Sequence, residues 1–486
     1  MKELEILLLV LYGLCLVFVL GFSLTQFHLT RLARRAYRRP ATSPPPAPEQ
    51  WPRVTVQLPI YNELFVVERI IGAAAALDYP ADRLHIQVLD DSTDETVAVA
   101  AAAVARCRAR GLRVDHVRRP SRLGYKAGAL AHGLHETDGE FIAIFDADFV
   151  PPPDFLRRTL PYFTGPEIGV VQTRWTHLNE NDSLLTQLQA FGLNAHFLIE
   201  QVGRNLGGHF INFNGTGGVW RRQCIAGSGG WQADTLTEDL DLSYRAQLHG
   251  WQFVYLPQVQ APAELPAALD ALKSQQFRWT KGAAETARKH LGQVLRSGQK
   301  TSTKLHATFH LLNSTVFVAI LLMALLSVPL VFIREYVAEF KPVFRLASVC
   351  ILGFLPLIYY FYTAWRLNAP QASTWQFVPR FALFLAVSMG LSLHNSRAVL
   401  AGLARRPTAF IRTPKMGLMQ PLTARYRSSS VSGLTVLEGL LTLYFLFGLG
   451  TGFYFRNYGL LPFHGLLTVG FGTIFYYSLR HNRTAL

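Results

Sequence analysis

The residues best equipped for chemistry fall into four short clusters. Asp146-Ala147-Asp148 sets two carboxylates two residues apart, directly after the apolar run FIAIF. Such a pair at the end of a buried strand suits a hard divalent cation, Mg²⁺ or Mn²⁺, which takes one or two carboxylates plus phosphate oxygens. The alternative is a carboxylate that caps the next helix. Thr237-Glu238-Asp239 overlaps a second Asp-x-Asp, Asp239-Leu240-Asp241, so three acidic groups crowd into four residues. They repel one another if all are buried, which requires at least one to face a cation or a polar cleft. A helix start with Thr237 as N-cap accommodates the same residues. Asp90-Asp91-Ser92 closes another apolar run, and Gln275-Gln276-Phe277-Arg278-Trp279 sets a planar cation beside an indole. An Arg fork matches a diphosphate, and an aromatic face matches a sugar or a nucleobase. A helix lying on a membrane surface is an equally good home for Arg and Trp.

Positioning these clusters falls to an alternation of short β-branched runs and Ala-rich periodic segments. Strands are expected at 54–59, 85–89, 112–118 and 140–145, and helices at 64–77, 93–110 and 126–135. That rhythm predicts a mostly parallel α/β sheet with helices on its faces. Ligands in such sheets sit beyond the carboxyl ends of the strands, where Tyr61-Asn62-Glu63, Asp90-Asp91 and Asp146-Ala147-Asp148 all fall. No G-x-G-x-x-G and no Walker motif occurs, which argues against a dinucleotide or P-loop nucleotide.

Half of the chain is hydrophobic and only 16% is charged, against roughly 25% in ordinary soluble proteins. A purely soluble or disordered protein is therefore excluded. The net charge of +15 could serve nucleic acid, lipid or an anionic substrate. Its placement beside apolar segments favours lipid, with no nucleic acid as partner. The four cysteines form no C-x-x-C pair and no zinc motif. Stretches 4–27, 306–332, 343–365, 431–455 and 459–479 are long enough to cross a bilayer, whereas 381–393 is short and is expected at the interface. Acidic residues precede the first stretch and the basic run RLARRAYRR follows it. This charge order marks a retained anchor with the rest of the chain on the cytosolic side. The resulting division is an anchor at 1–30, a basic, Pro-rich linker at 31–50, a cytosolic domain at 51–300, and membrane hairpins at 301–486 that contain the interfacial helix and a basic loop at 405–420.

The order DDS, DAD, TED and QFRW, followed by membrane hairpins, resembles the inverting, membrane-embedded glycosyltransferases of family 2, in the superfamily of cellulose, chitin and hyaluronan synthases. The segment FNGTGGVWR and the later Glu264-Leu265-Pro266 look like the plant cellulose-synthase-like groups that make mannan or xyloglucan backbones. Phe277 stands where those groups usually have His. The resemblance implies a GT-A (Rossmann-like) fold. It also implies that Tyr61 stacks on the base of the nucleotide with Glu63 nearby, and that Asp91, or less favourably Asp90, bonds the base or ribose. Lys126 would meet the nucleotide or its phosphates, and Asp146 and Asp148 the diphosphate-bound metal. Asp239 would be the general base and Glu238 would shape the acceptor pocket. Gln275 and Arg278 would steady the leaving diphosphate while Trp279 packs under the acceptor sugar. The run FIRTPK resembles the gating loop F-x-V-T-x-K of bacterial cellulose synthases, with Arg412 in place of Val, which extends the nucleotide contacts to Thr413 and Lys415.

The expected function is processive synthesis of a β-linked polysaccharide from a nucleotide sugar of the UDP-glucose or GDP-mannose type. The membrane would be a bacterial inner or plasma membrane, and the product would pass through the enzyme's own spans. The competing reading is transfer of one sugar to a lipid, as in ceramide glucosyltransferases. Nothing in the residues distinguishes the two sugars.

Overall fold

The first strand is apolar or β-branched at nearly every position, and a strand of that kind needs cover on both faces. A computed structural model describes residues 2–40, 43–406, 408 and 433–483. In it, β1 (Val54–Ile60) lies inside a seven-stranded sheet. The other strands are β2 (Leu84–Asp90), β3 (Val114–Val117), β4 (Phe141–Ile144), β5 (Ile168–His177), β6 (Gly218–Arg221) and β7 (Gln252–Ala263). Their order is β3-β2-β1-β4-β6-β5-β7, and β6 alone runs against the rest. Helices Val67–Ala75, Thr96–Ala109 and Tyr125–His135 join the first four strands, in the expected rhythm. From β1 the chain winds outward through β2 and β3, then returns to β4 on the other side of β1. The strand order therefore reverses between β1 and β4, and the crevice at their carboxyl ends is where such sheets receive ligands.

Each face of the sheet has its own apolar core. One is built from Val56, Leu58, Val88, Phe145 and Phe155. The other holds Ile142, Ile144, Trp220 and Phe197, and continues without interruption into Tyr360, Phe361, Trp365 and Phe377 of the helical part. Phe191 and Phe361 stack across this join with centroids 5.5 Å apart. Arg174 Nη2 donates to Asn368 Oδ1 at 2.6 Å, and the Tyr360 hydroxyl donates to Glu200 at 3.2 Å.

Among the described residues, four helices are long and apolar enough to cross a membrane: Lys2–Arg38, Thr315–Tyr336, Gly433–Tyr454 and Tyr458–Arg480. The chain is an integral membrane protein. Several expected boundaries shift. Lys2–Arg38 runs straight through RLARRAYRR, because Arg, Leu and Ala are strong helix formers and cations suit a helix C-terminus; the basic run is thus helix rather than linker. The expected span at 306–332 starts later, after a separate helix Thr301–Leu311. The stretch 343–365 is not one helix but three pieces, Lys341–Val349, Cys350–Gly353 and Phe354–Asn368. Gly353 and Pro356 lie at the break, and proline can donate no hydrogen bond to the preceding turn. The short stretch 381–393 belongs to a pair, Thr374–Gly390 and Ser392–Leu403, bent by 48°.

One carboxylate sits inside the helical part. Glu438 is fully buried, and its Oε1 accepts from Lys273 Nζ at 2.8 Å, reaching from the helix Leu269–Arg296 that also carries Arg278. Ser478 donates to its other oxygen at 3.2 Å. Breaking a buried pair strands the remaining charge, at a cost of about 3–5 kcal/mol. Glu438→Ala is therefore expected to lower the midpoint of thermal unfolding in detergent, and a Lys273→Met/Glu438→Leu double variant to recover most of the loss. Equal midpoints for wild type and Glu438→Ala would contradict this.

Candidate active site

A cleft of about 1340 Å³, counting its open mouth, lies at the strand-order reversal. Each wall comes from a different part of the chain. Tyr61 and Glu63 follow β1, Asp91 follows β2, and Asp146 and Asp148 follow β4. Glu238 and Asp239 open the helix Glu238–Leu248, and Gln275, Arg278 and Trp279 occupy one face of Leu269–Arg296. The structure thus brings together every described residue expected at the site except Asp90. Thr413 and Lys415 lie outside the described residues. The neighbouring Arg406 carbonyl and Thr408 hydroxyl accept from Lys281 Nζ at 2.7 and 2.6 Å, three residues beyond Arg278.

Asp90 is buried and lines no part of the cleft. Its Oδ1 accepts from the Ser92 amide at 2.9 Å and its Oδ2 contacts His116 Nε2 at 2.8 Å. Strand alternation explains the difference: adjacent side chains point to opposite faces, so only Asp91 reaches the cleft. Arg119 grips Asp91 with two nitrogens, Nε at 3.0 Å. Arg122 lies over the Tyr61 ring, 3.3 Å from its centroid. These two arginines were not singled out in the sequence, since neither sits in a recognisable motif.

The centre of the cleft is electrostatic. Lys126 Nζ donates to Asp146 Oδ1 at 2.5 Å and to the Gly215 carbonyl at 3.0 Å, and lies 3.9 Å from Glu238. Burial disfavours its charge, but Asp146, Glu238 and Asp239 outweigh that and raise its pKa. Arg278 is half-buried, and its partial desolvation lowers its pKa against the pull of Asp146, Glu238, Glu63 and Asp148. Gly215 makes the close approach possible. It adopts φ +79°, and a Cβ there would come 3.0 Å from Asp239 Oδ2 and 3.4 Å from Lys126 Nζ.

The three acidic residues of the TED region divide by helix geometry. Thr237 sits at the N-cap position, but its hydroxyl makes no capping bond and instead meets Thr286 Oγ1 at 3.2 Å. Asp241 turns away from the cleft and is completely buried among Arg245, Lys289 and His290, with contacts of 2.7 Å. Burial opposes its charge, yet His290, Lys289 and Arg245 hold the carboxyl well below the usual range. Glu238 and Asp239 face the cleft, and burial pushes both up. Asp239 reaches about 7 because the Glu238 carboxylate beside it adds to burial, against Lys126 and the Leu240 amide. The second Asp-x-Asp is therefore one cleft carboxylate and one structural ion-pair partner, not a cation site.

On the far wall lie Trp175, His177 and Leu193, also missed in the sequence because β5 carries no motif. Trp175 donates from Nε1 to the Thr216 carbonyl at 3.2 Å. Among the described residues the His177 ring has no hydrogen-bond partner on either nitrogen, and burial, aided by Arg174, lowers its pKa to about 4. Trp175, His177 and Trp279 give this wall the flat and hydrogen-bonding surfaces that suit a sugar.

The contrast between Asp239 and Asp241 is measurable as stability. A carboxyl with a raised folded pKa costs stability once pH exceeds its unfolded value near 3.9, and the cost is complete above the folded pKa. Asp239→Asn is thus expected to raise the unfolding midpoint at pH 8 more than at pH 5. Asp241→Asn is expected to lower it at both, by the equivalent of about 3–5 kcal/mol. A shift of the same sign in the two variants would refute this division.

Residues 52–282 match the family described as "Glycosyltransferase like family 2". Among similar proteins, glucomannan 4-beta-mannosyltransferase 1 of Cyamopsis tetragonoloba is 34% identical over 421 residues, covering 82% of this chain and 76% of that one. Probable glucomannan 4-beta-mannosyltransferase 6 of Oryza sativa subsp. japonica is 37% identical over 391 residues, covering 78% of this chain. The chain spans 65% of the length of that rice relative. A solved mannosyltransferase from Pyrobaculum calidifontis, in complex with GDP-Man and Mn²⁺, superposes with a TM-score of 0.57 at 19% identity, over 82% of this chain and all of the other. At that identity the likeness shows the fold, a GT-A-like domain. Sheet, cleft and kinship agree: the chain belongs to glycosyltransferase family 2, in the group that contains the glucomannan 4-β-mannosyltransferases.

Proposed function

We propose that the protein is a membrane-embedded inverting hexosyltransferase that extends a β-linked polysaccharide backbone, of the 1,4-linked mannan or glucomannan type, from a GDP-mannose-type donor. The observation that carries this reading is Asp239. Its carboxyl, poised at about 7, stands in one cleft with Asp146, Asp148 and Arg278. The donor and linkage rest on the names of the relatives and of the structural neighbour.

The acceptor hydroxyl attacks the anomeric carbon and loses its proton to Asp239 as the new C–O bond forms. The bond to the diphosphate breaks on the opposite face, its electron pair leaves with the diphosphate, and the α-linked donor becomes a β-linked product. Arg278 stabilises the charge that develops there, and Gln275 adds a hydrogen bond. Lys126, already held by Asp146, lies where it can shift toward the phosphates. Tyr61, Glu63 and Asp91 hold the nucleotide end, Asp91 being oriented by Arg119. Glu238 and Trp279, with Trp175 and His177, shape the acceptor side. The carboxylates Asp146 and Asp148 fit a hard divalent ion: both offer oxygen ligands, and Asp146 already attracts a cation. Mg²⁺ or Mn²⁺ held by them supplies neutralisation of the diphosphate.

The catalytic face is proposed to be cytosolic. Helix Phe354–Asn368 returns to the catalytic domain at Asn368 and Tyr360. The bent pair is tied to the catalytic domain near both ends, Phe377 by the Phe191 ring and the Gly402 carbonyl by Arg288. Both observations support a crossing by the broken stretch and a re-entrant bent pair, which leaves the basic loop on the catalytic side. The plant relatives do not support the bacterial membrane expected from the sequence.

Asp239→Asn is expected to cut turnover by roughly 10²–10⁴-fold while donor binding, followed by calorimetry, changes little. Wild-type activity is expected to fall as pH drops through about 7, because a protonated Asp239 accepts nothing. Glu238→Gln removes the neighbouring charge and is expected to move that acid limb lower. Full turnover in Asp239→Asn would end the base assignment.

Product identity tests the function itself. Inside-out vesicles given labelled GDP-mannose and Mn²⁺ are expected to make a high-molecular-weight product that a β-mannanase cleaves, and right-side-out vesicles none. Label confined to organic-extractable lipid would replace the polymer reading with single-sugar transfer.

A further inference from the structure

Away from the cleft, three histidines from distant parts of the chain converge. His28 lies near the end of Lys2–Arg38, His209 in the loop after Gln201–Leu206, and His306 in Thr301–Leu311. One potential ligand atom from each lies within 4.8 Å of the other two. No other group of three such side chains converges among the described residues. His28 Nδ1 and His306 Nε2 are 2.8 Å apart, and the rings of His209 and His306 stack at 4.2 Å. We propose that His28, His209 and His306 form a binding site for a first-row transition metal ion of the Zn²⁺ class, which clamps the first membrane helix and the helix Thr301–Leu311 onto the catalytic domain.

The chemistry of the ligands selects the metal. Imidazole suits Zn²⁺, Cu or Ni, and not the hard Mg²⁺ or Mn²⁺ that carboxylates take. Three histidines with an open fourth position is an established Zn²⁺ arrangement. His209 has the features of a ligand before any metal arrives. It is 7% exposed, its Nδ1 contacts Thr303 Oγ1 at 3.1 Å, and its Nε2 is buried with no partner among the described residues. An outer hydrogen bond on one nitrogen, leaving the other for the metal, is how ligating histidines are oriented. His28 is exposed, which leaves the fourth position to water or an anion.

The nitrogen separations are close to those required, and the stacked rings must turn for their in-plane lone pairs to converge on one ion. Zn–N distances near 2.0–2.1 Å in a tetrahedron separate nitrogens by about 3.3 Å. Side-chain rotations that change each separation by no more than about 1.5 Å meet that value. The backbones are already fixed: Gly203 approaches the first helix so closely that a Cβ on it would lie 2.5 Å from the Leu29 carbonyl oxygen. The surrounding cations do not prevent binding. Arg204 faces His209 and His306 but pairs with Glu200 at 3.3 Å. Arg31 and Arg35, near His28, favour an anionic fourth ligand.

The test uses the full chain in detergent, with any polyhistidine tag removed, stripped by chelator and titrated with Co²⁺ alone. One Co²⁺ per chain is expected to give the strong visible absorption of a tetrahedral nitrogen-ligated site, displaced by Zn²⁺ and not by Mg²⁺. His28→Ala, His209→Ala and His306→Ala are each expected to weaken binding roughly tenfold or more. Because His28 is exposed, its variant keeps the buried pair and remains foldable. Asp148→Asn is expected to keep the absorption, which separates this site from the cleft and from the fate of the transferase reading. Zn²⁺ is further expected to raise the unfolding midpoint of the wild type more than that of His28→Ala. Identical Co²⁺ spectra and stoichiometry in wild type and His28→Ala, or no band in the wild type at millimolar Co²⁺, would overturn the proposal.

Discussion

Buried like charges are the constraint around which this molecule is arranged. Glu238 and Asp239 share a cleft with Asp146, and burial there raises the cost of the Glu238 and Asp239 charges. Lys126 and Arg278 compensate, and each is delivered by a helix anchored elsewhere. Remove either cation and the carboxylates must protonate or separate. The same imbalance keeps Asp239 near neutrality in its proton affinity, which is what a general base requires. Two residues on, Asp241 shows the opposite solution, with three cationic or hydrogen-bonding partners and no exposure. Chemistry and structural support thus occupy neighbouring positions on one helix, divided by which way the side chain points.

Holding that cluster requires the catalytic and membrane parts to be one body. The second core passes from β4 and β6 into the helices that follow the domain. Helix Leu269–Arg296 touches both sides at once. Arg278 reaches into the cleft, Lys273 binds Glu438 inside the helical bundle, and Lys281 binds the backbone at Arg406. A single helix thus contacts both the cleft and the membrane bundle. The first helix is packed against the domain by backbone contact at Gly203, and the three histidines meet at that junction.

The motif residues were legible because their chemistry is unusual for their surroundings. A carboxylate pair after a buried run, or an arginine beside an indole, has few structural reasons to exist. Arg119, Arg122, Trp175 and His177 carry no such mark, since arginines in a basic chain and aromatic residues in a strand are ordinary. Asp90 illustrates the reverse. Two adjacent aspartates look alike in sequence, and only the pleat of β2 separates the one facing the cleft from the one that binds His116.

The sequence by itself determined the class of fold, the presence of membrane helices and the set of cleft carboxylates, because periodicity, hydropathy and local acid spacing are short-range properties. Tertiary structure alone decided the ion pair between Lys273 and Glu438, the proton affinity of Asp239 and the meeting of His28, His209 and His306. Those depend on which groups separated by tens to hundreds of residues share a dry volume. Charge and ligand interactions are governed by distance and dielectric, and neither can be read along the chain.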